Sequence, residues 1–329
     1  MKFISHPLAT LRIAFAALGA FACVHAGAAD AYPNKPIRLI VGFAPGGATD
    51  VLARVIAKGL AEKFPAGVVV ENRVGAGGVI AASAVAHAAP DGYTLAFAST
   101  GAFSIAKYIY KSVPFDAIKD FVPVGLVAQN THVLIVNPSI PVNTPQELAA
   151  YAKAHPGALS YGSFGNGSTS HLLAEQFKTS TGVQATHIPY AGSPPMVTAT
   201  MTGDVAFAVD TLQSAQPYIK SGKVRALAVV SETRSPVAPT IPTFKEQGLD
   251  GIDLKNWYGV LAPAGTPEAV VKLLAEQIAR IVADPEFRKF LAEQGSEPAS
   301  VSGAEFGKFL ESQSTRWGAL AKASNAKID

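Results

Sequence analysis

The sequence predicts two α/β domains, each a mainly parallel sheet flanked by helices, with the chain crossing between them twice. Three observations predict this. Apolar strand-like runs alternate with helix-like segments from residue 36 onward, joined by Gly/Ser/Thr loops, as parallel strands covered by helices require. The alternation restarts near residue 159. The last helical segments follow little strand-like sequence, so they are expected to pack back on the first domain. The expected ranges are 30–130 with 254–329 for one domain and 131–253 for the other. The crossings fall near 126–135 and 248–258.

A leader precedes the first domain. Lys2 and Arg12 start it, residues 13–24 form a short apolar run, and Ala26, Gly27, Ala28 and Ala29 supply small residues. That is the layout of a secretory signal peptide cut between 26 and 29. The run is too short to span a bilayer. Cys23 invites a lipoprotein reading, but Ala20 stands where a large aliphatic residue is needed. Because Cys23 is the only cysteine, the exported chain is expected to form no disulfide and to rest on its cores. Removing Lys2 and Arg12 lowers the formal charge from +3 to +1. Such a balance excludes the basic footprint of a nucleic-acid binder and a polybasic membrane patch.

The elements follow in order. Residues 36–43, PIRLIVGF, suit a buried parallel strand. The next segment places Val51, Leu52, Val55, Ile56 and Leu60 on one helical face. Strands at 67–73 and 93–100 flank a Gly/Ala-rich helix at 77–89. A strand at 131–138 precedes a helix announced by Thr144 as N-cap, Pro145 and Glu147. The second domain reads as a strand at 159–165, a helix at 171–180, and strands at 205–211 and 224–231. Residues 248–261 form the return, with Trp257 and Tyr258 as interdomain packing. A helix at 266–284 and another capped by a Ser302/Glu305 box complete the chain.

Ligands of open α/β sheets sit where strands feed helix N-termini. Three loops fit: FAPGGATD, AFASTGA and FGNGSTSH. Gly46, Gly47, Gly101, Gly165 and Gly167 let backbone N–H groups approach a ligand. Thr49, Ser99, Thr100, Ser163, Ser168, Thr169 and Ser170 offer hydroxyls, and none of the loops contains Lys or Arg. From Gly42 the first loop matches a P-loop except that Ala48 replaces the lysine. Each helix end contributes up to ~2 kcal/mol toward an anion. Two such ends support only about millimolar binding by themselves. A triphosphate needs Lys and Mg²⁺, whereas a carboxylate matches this supply. A single such loop is explained by capping alone; three together point to a ligand.

Other chemistries lack their residues. In GAGGVI, Ile80 occupies the third glycine position of a dinucleotide fingerprint. Gly75, Gly77 and Gly78 are read instead as a turn and close helix packing. No Gly-x-Ser-x-Gly elbow occurs. His171 and Glu175 have a possible metal-ligand spacing, but a lone i,i+4 pair is the mark of a helix surface. No metal or cofactor is expected. Asp210, ending VAFAVD, is either an N-cap or an acceptor for a ligand amine or hydroxyl. Tyr190 is either a cleft wall or a packed ring with its hydroxyl in water.

With these residues in hand, the chain resembles the substrate-binding proteins of tripartite tricarboxylate transporters, the Bug family. The resemblance rests on YPNKPIRLIVGFAPGGATD, VVVENRVGAGG, PDGYTL, YGSFGNGSTSHL, IPYAGSPP and WYGVLAPAGTP, in that order. It implies a periplasmic binding protein of the type II-like venus-flytrap kind, closing on a small organic acid. Carried over, the first-domain contacts are Ala44, Gly46, Gly47 and Thr49, with Thr100 nearby. Those of the second domain are Ser163, Asn166, Gly167, Ser168, Thr169 and His171, with Asp210 deeper in the cleft. The implied partners are a small organic acid and the membrane components of a transporter, with the receptor acting as a monomer. The competing readings are a sensory module presenting its closed form to a signalling partner and a secreted enzyme on the same fold.

Overall fold

A computed structural model describes residues 32–324 and 326–327. The leader, Cys23 and the cleavage site lie outside them. Along the first part of the chain run β1 (Ile37–Val41), α1 (Ala48–Lys63), β2 (Val68–Asn72), α2 (Val79–Ala86) and β3 (Thr94–Ser99). A short helix α3 (Ala106–Ile109) and the long strand β4 (Phe121–Asn130) follow. The next strands are β5 (His132–Val136), β6 (Ser160–Ser163), β7 (Thr186–Pro189), β8 (Phe207–Thr211) and β9 (Arg225–Val230). Between them lie α4 (Pro145–Ala154), α5 (Thr169–Thr181), α6 (Ser193–Thr202) and α7 (Leu212–Lys220). The chain ends through β10 (Asn256–Pro263), α8 (Glu268–Ala283), α9 (Pro285–Glu293), β11 (Ser296–Ser302) and α10 (Gly303–Ala323).

These strands make two sheets, ordered β11-β4-β10-β3-β1-β2 and β7-β6-β8-β5-β9. The layered α/β architecture is as expected, but the sheets are mixed rather than mainly parallel. β1 runs parallel to β2 and β3, and β6 parallel to β7 and β8. The strands next to the crossings run antiparallel: β10 against β3 and β4, and β5 against β8 and β9. The reason is the route of the chain. β4 passes into β5 with only Thr131 between, and β10 returns with Asn256 opposite Asn130. The two crossing segments therefore lie side by side.

Four strands escape the sequence reading: β7, β10 within the return segment, β4 and β11. β4 carries Pro123 and Gly125 inside its run, which mask strand periodicity. β11 is SEPASVS, a polar strand at the sheet edge whose residues after the buried Ser296 alternate between half-buried and exposed. The C-terminal segment is thus not purely helical. The Ser302 box is also corrected: Ser302 occupies the N-cap of α10 but makes no side-chain cap. At α4 the box is present in altered form. Thr144 accepts from Glu147 N–H, while the Glu147 carboxylate reaches Asn143 N–H at 2.6 Å.

Alternation along β1 splits the first sheet into two faces. Ile37, Leu39 and Val41 pack with Leu52, Ile56 and Leu60 of α1 and with Leu274 and Ile278 of α8. Ile40 packs on the other side with Phe103, Trp257, Phe306 and Leu310. Val51 departs from the helical face assigned to it and is exposed. Trp257 and Tyr258 are likewise not interdomain packing, because both sit on β10 and fill opposite faces of the first sheet. The element that spans both units is α10. Its Phe306 and Leu310 join the first sheet, while Trp317, Leu320 and Ala321 join Phe177 and Leu134 of the second. The last helix therefore packs on both units, not on the first alone.

Candidate functional site

The opening loop leaves β1 and enters α1. Gly46 has φ +81, where a side chain would be strained, whereas Gly47 is extended with φ −75. Gly47 has no side chain to cap the helix, and α1 carries no side-chain cap. Ala44, Gly46 and Gly47 are exposed, so the first turn presents backbone N–H groups and the positive end of the helix outward.

The loop is braced from behind by residues the sequence reading did not single out. Asp50 is buried. Its Oδ2 accepts Gly46 N–H at 2.8 Å and Arg54 Nε–H at 2.9 Å, and its Oδ1 accepts from Asn72 at 2.8 Å. The same Asn72 amide donates to Phe43 O at 2.9 Å. Hydrogen bonding from Arg54 holds the Asp50 carboxyl down at about 2, so it stays ionised and ties up the nearest cation. The Asp50/Arg54 spacing of four residues on a helix was the available signal. Glycines complete the support: a Cβ on Gly42 would lie 2.5 Å from Gly78 Cα, and one on Gly101 3.1 Å from Gly77 O. The glycines of GAGGVI thus serve close packing.

The AFASTGA loop after β3 turns inward. Thr100 is fully buried, and its Oγ1 accepts the Trp257 N–H at 2.9 Å.

The second-sheet loop, between β6 and α5, is built around its own contacts. Ser163 is buried, lies 2.6 Å from His187 Nε2, and accepts Gly165 N–H at 3.1 Å. Ser168 caps α5 by accepting His171 N–H, and donates to Gly165 O at 2.7 Å. His171 Nδ1 accepts Gly167 N–H at 3.0 Å, and its ring stacks on His187 at 4.0 Å between centroids. Burial lowers both histidines, His187 to about 4 with the nearby His171 as the next cause. Asn166 is exposed at the tip. Thr169 Oγ1 lies 3.0 Å from His132 Nε2. Tyr190 is half-buried beside this loop, with its N–H on Ser163 O and its ring 3.4 Å from where a Gly162 Cβ would stand. Ser163, Gly167, Ser168, His171 and Tyr190 therefore form one cluster, while Ala44, Gly46, Gly47 and Thr49 form another on the first sheet.

Asp210 is the penultimate residue of β8 and is wholly buried. Thr211, not Asp210, caps α7, accepting from Ser214 N–H. Asp210 accepts instead from Ser193 Oγ at 2.9 Å, at the start of α6, and from Thr211 N–H at 2.7 Å. Burial raises its carboxyl to about 7 against these two bonds.

The two units approach closely beside α1. Gln213 at the start of α7 donates to Gln294, and a cavity of about 20 Å³ lies among Ala48, Val51, Gln213 and Tyr258. A larger groove of about 520 Å³ runs between α1, α8 and α9, along residues such as Lys58, Glu62, Arg280 and Asp284, which belong to neither loop.

Two sheets bridged by paired crossing strands, with glycine loops feeding a helix on each unit, define a two-lobed binding protein. Residues 52–326 match the tripartite tricarboxylate transporter family receptor. The chain belongs to this family of solute-binding receptors, which includes the Bug proteins. It is 36% identical to protein BugT of Bordetella pertussis over 98% of both chains. It is similar to an R. palustris protein solved with adipate, at 36% identity, covering 90% of this chain and 100% of that one with a TM-score of 0.82. MatC from Rhodopseudomonas palustris with bound malate is 31% identical, covering 88% and 100%, with a TM-score of 0.78.

Proposed function

We propose that the protein is a periplasmic receptor that captures a small carboxylate, a di- or tricarboxylate or an aromatic acid, and delivers it to the membrane components of a tripartite tricarboxylate transporter. The site lies between a domain of residues 30–130 with 254–329 and a domain of residues 131–253. The observation that carries this reading is the exposed, uncapped N-terminus of α1, whose nearest cation is already held by Asp50. Such a loop serves one modest anion through its backbone and its helix end. The second wall differs. Its helix is capped by Ser168, so it contributes shape and polar contact from Asn166, Gly167, Thr169 and Tyr190 more than charge. Ser163, Ser168 and His171 hold that wall in place. A carboxylate end docks on Ala44, Gly46, Gly47 and Thr49, and the remainder of the acid faces the second wall, with Asp210 beneath and Thr100 behind. The protein performs no bond chemistry and works as a monomer. The adipate-bound and malate-bound relatives support the ligand class.

Thermal-shift and calorimetric titration with succinate, malate, adipate, citrate, benzoate and aspartate test it, with glucose and ADP as controls. A ligand at 100 times its Kd adds about 2.7 kcal/mol. At least one acid should raise the melting temperature and the controls should not. A shift with glucose or ADP alone refutes the reading.

A further inference from the structure

The crossing segment carries buried polar atoms that neither wall uses. Asn130 is the last residue of β4 and His132 the first of β5; they are 1% and 0% exposed. Each is tied to one wall. The Asn130 amide donates to the Tyr258 hydroxyl at 3.3 Å, and that hydroxyl lies next to the Thr49 side chain. His132 Nε2 lies 3.0 Å from Thr169 Oγ1. Thr49 and Thr169 both belong to the first turn of a helix, α1 on one unit and α5 on the other. Each side chain also has a second polar atom, Asn130 Oδ1 and His132 Nδ1, with no hydrogen-bond partner among the described residues.

Buried polar atoms are almost always paired, so two unpaired atoms two residues apart mark a place where a group is received. Alternate residues of an extended chain share a face, with Cα atoms about 6.6 Å apart. That span admits one oxygen at hydrogen-bonding distance from both side chains. Resting on the reading of the site given above, we propose that Asn130 and His132 form its floor and clasp one hydroxyl group, of a bound hydroxy acid or of an ordered water beneath the acid. A hydroxyl fits this pair where a carboxylate does not, because it both donates and accepts. It donates to Asn130 Oδ1 and accepts from His132 Nδ1–H, while Thr169 Oγ1–H donates to Nε2. Burial keeps His132 neutral, its value lowered to about 3, so either ring nitrogen can carry the proton.

The test compares Asn130→Leu and His132→Phe with wild type, measuring Kd for succinate, malate, adipate and citrate and the melting temperature of the free protein. Both variants remove an unpaired buried atom. Each also removes a made bond, to the Tyr258 hydroxyl or to Thr169 Oγ1, so the free proteins should melt somewhat below wild type, while binding weakens about tenfold for each position. If the floor receives the ligand's own hydroxyl, the loss falls on malate and citrate; if it receives water, all four acids lose equally. Asn130→Ala carries the same comparison should the leucine not fold. Lower melting temperatures with unchanged Kd overturn the proposal. If wild type binds none of the acids, the carboxylate reading itself fails; if wild type binds and the variants bind equally, only the floor does.

Discussion

Asp210→Asn should stabilise the protein at neutral pH and leave it unchanged in acid. Asp210 is wholly buried, and burial raises its carboxyl from 3.8 to about 7. The folded protein then holds a proton between those values that the unfolded chain releases. Rising pH therefore favours unfolding through this window: the contribution is fully present below pH 3.8 and gone above 7. About three pH units at ~1.36 kcal/mol each give roughly 4 kcal/mol. With ~2.1 cal/mol/K per residue over about 300 residues, this corresponds to about 6–7 °C in Tm. Asparagine keeps the geometry, since its Oδ1 accepts Thr211 N–H and its amide donates to Ser193 Oγ. Calorimetric melts of both proteins at half-unit steps from pH 4 to 8 read the difference, which cancels every other titrating group. A flat difference, or a variant less stable throughout, refutes the reasoning and with it a protonated Asp210 near neutral pH.

Three further outcomes are expected. Gly47→Val should fold, because its Cβ meets nothing closer than Ala44 O at 3.5 Å and φ is −75. Covering the helix end removes up to ~2 kcal/mol, or about thirtyfold in Kd by titration; an unchanged Kd removes the loop from the site. Asp50→Asn keeps one acceptor oxygen and sets an amide donor either against Asn72 or against Gly46 and Arg54, and should lose about 2 kcal/mol at pH 7 by urea unfolding. In wild type this brace is present above pH 3.8 and fades as pH falls toward about 2. His187→Gln should flatten the acid limb. His187 is lowered to about 4, so its contribution is present above pH 6.5 and lost as pH falls through the folded value; equal urea midpoints for both proteins at pH 6.5 and 4.5, relative to each other, would contradict this.

Alternating segments made the layers legible, because apolar runs and Gly/Ser/Thr loops are local signals. Sheet direction was not legible. Whether β10 runs with or against β3 depends on which unit the chain is leaving, and no residue of WYGVLAP records that. β11 was hidden because an edge strand on a polar surface needs few apolar residues. Within the site, the glycine loops could be read, but their asymmetry could not. Ser168 and Gly47 hold the same position before a helix, and only the folded contacts show one capped and the other bare. Asn130 and His132 gave no local signal, since their interest lies in what remains unpaired after folding.

The bare end of α1 has an evolutionary consequence. On the proposed reading of the site, recognition there is made by peptide groups, which every side-chain substitution leaves chemically intact. Such a contact can persist while neighbouring positions drift, provided the glycines keep the chain close. New acids can then be sampled by changes elsewhere, at Asn166, Tyr190 or along the crossing segment, without first rebuilding the anchor. A lineage of receptors that shares one grip and varies the far end is what this construction permits.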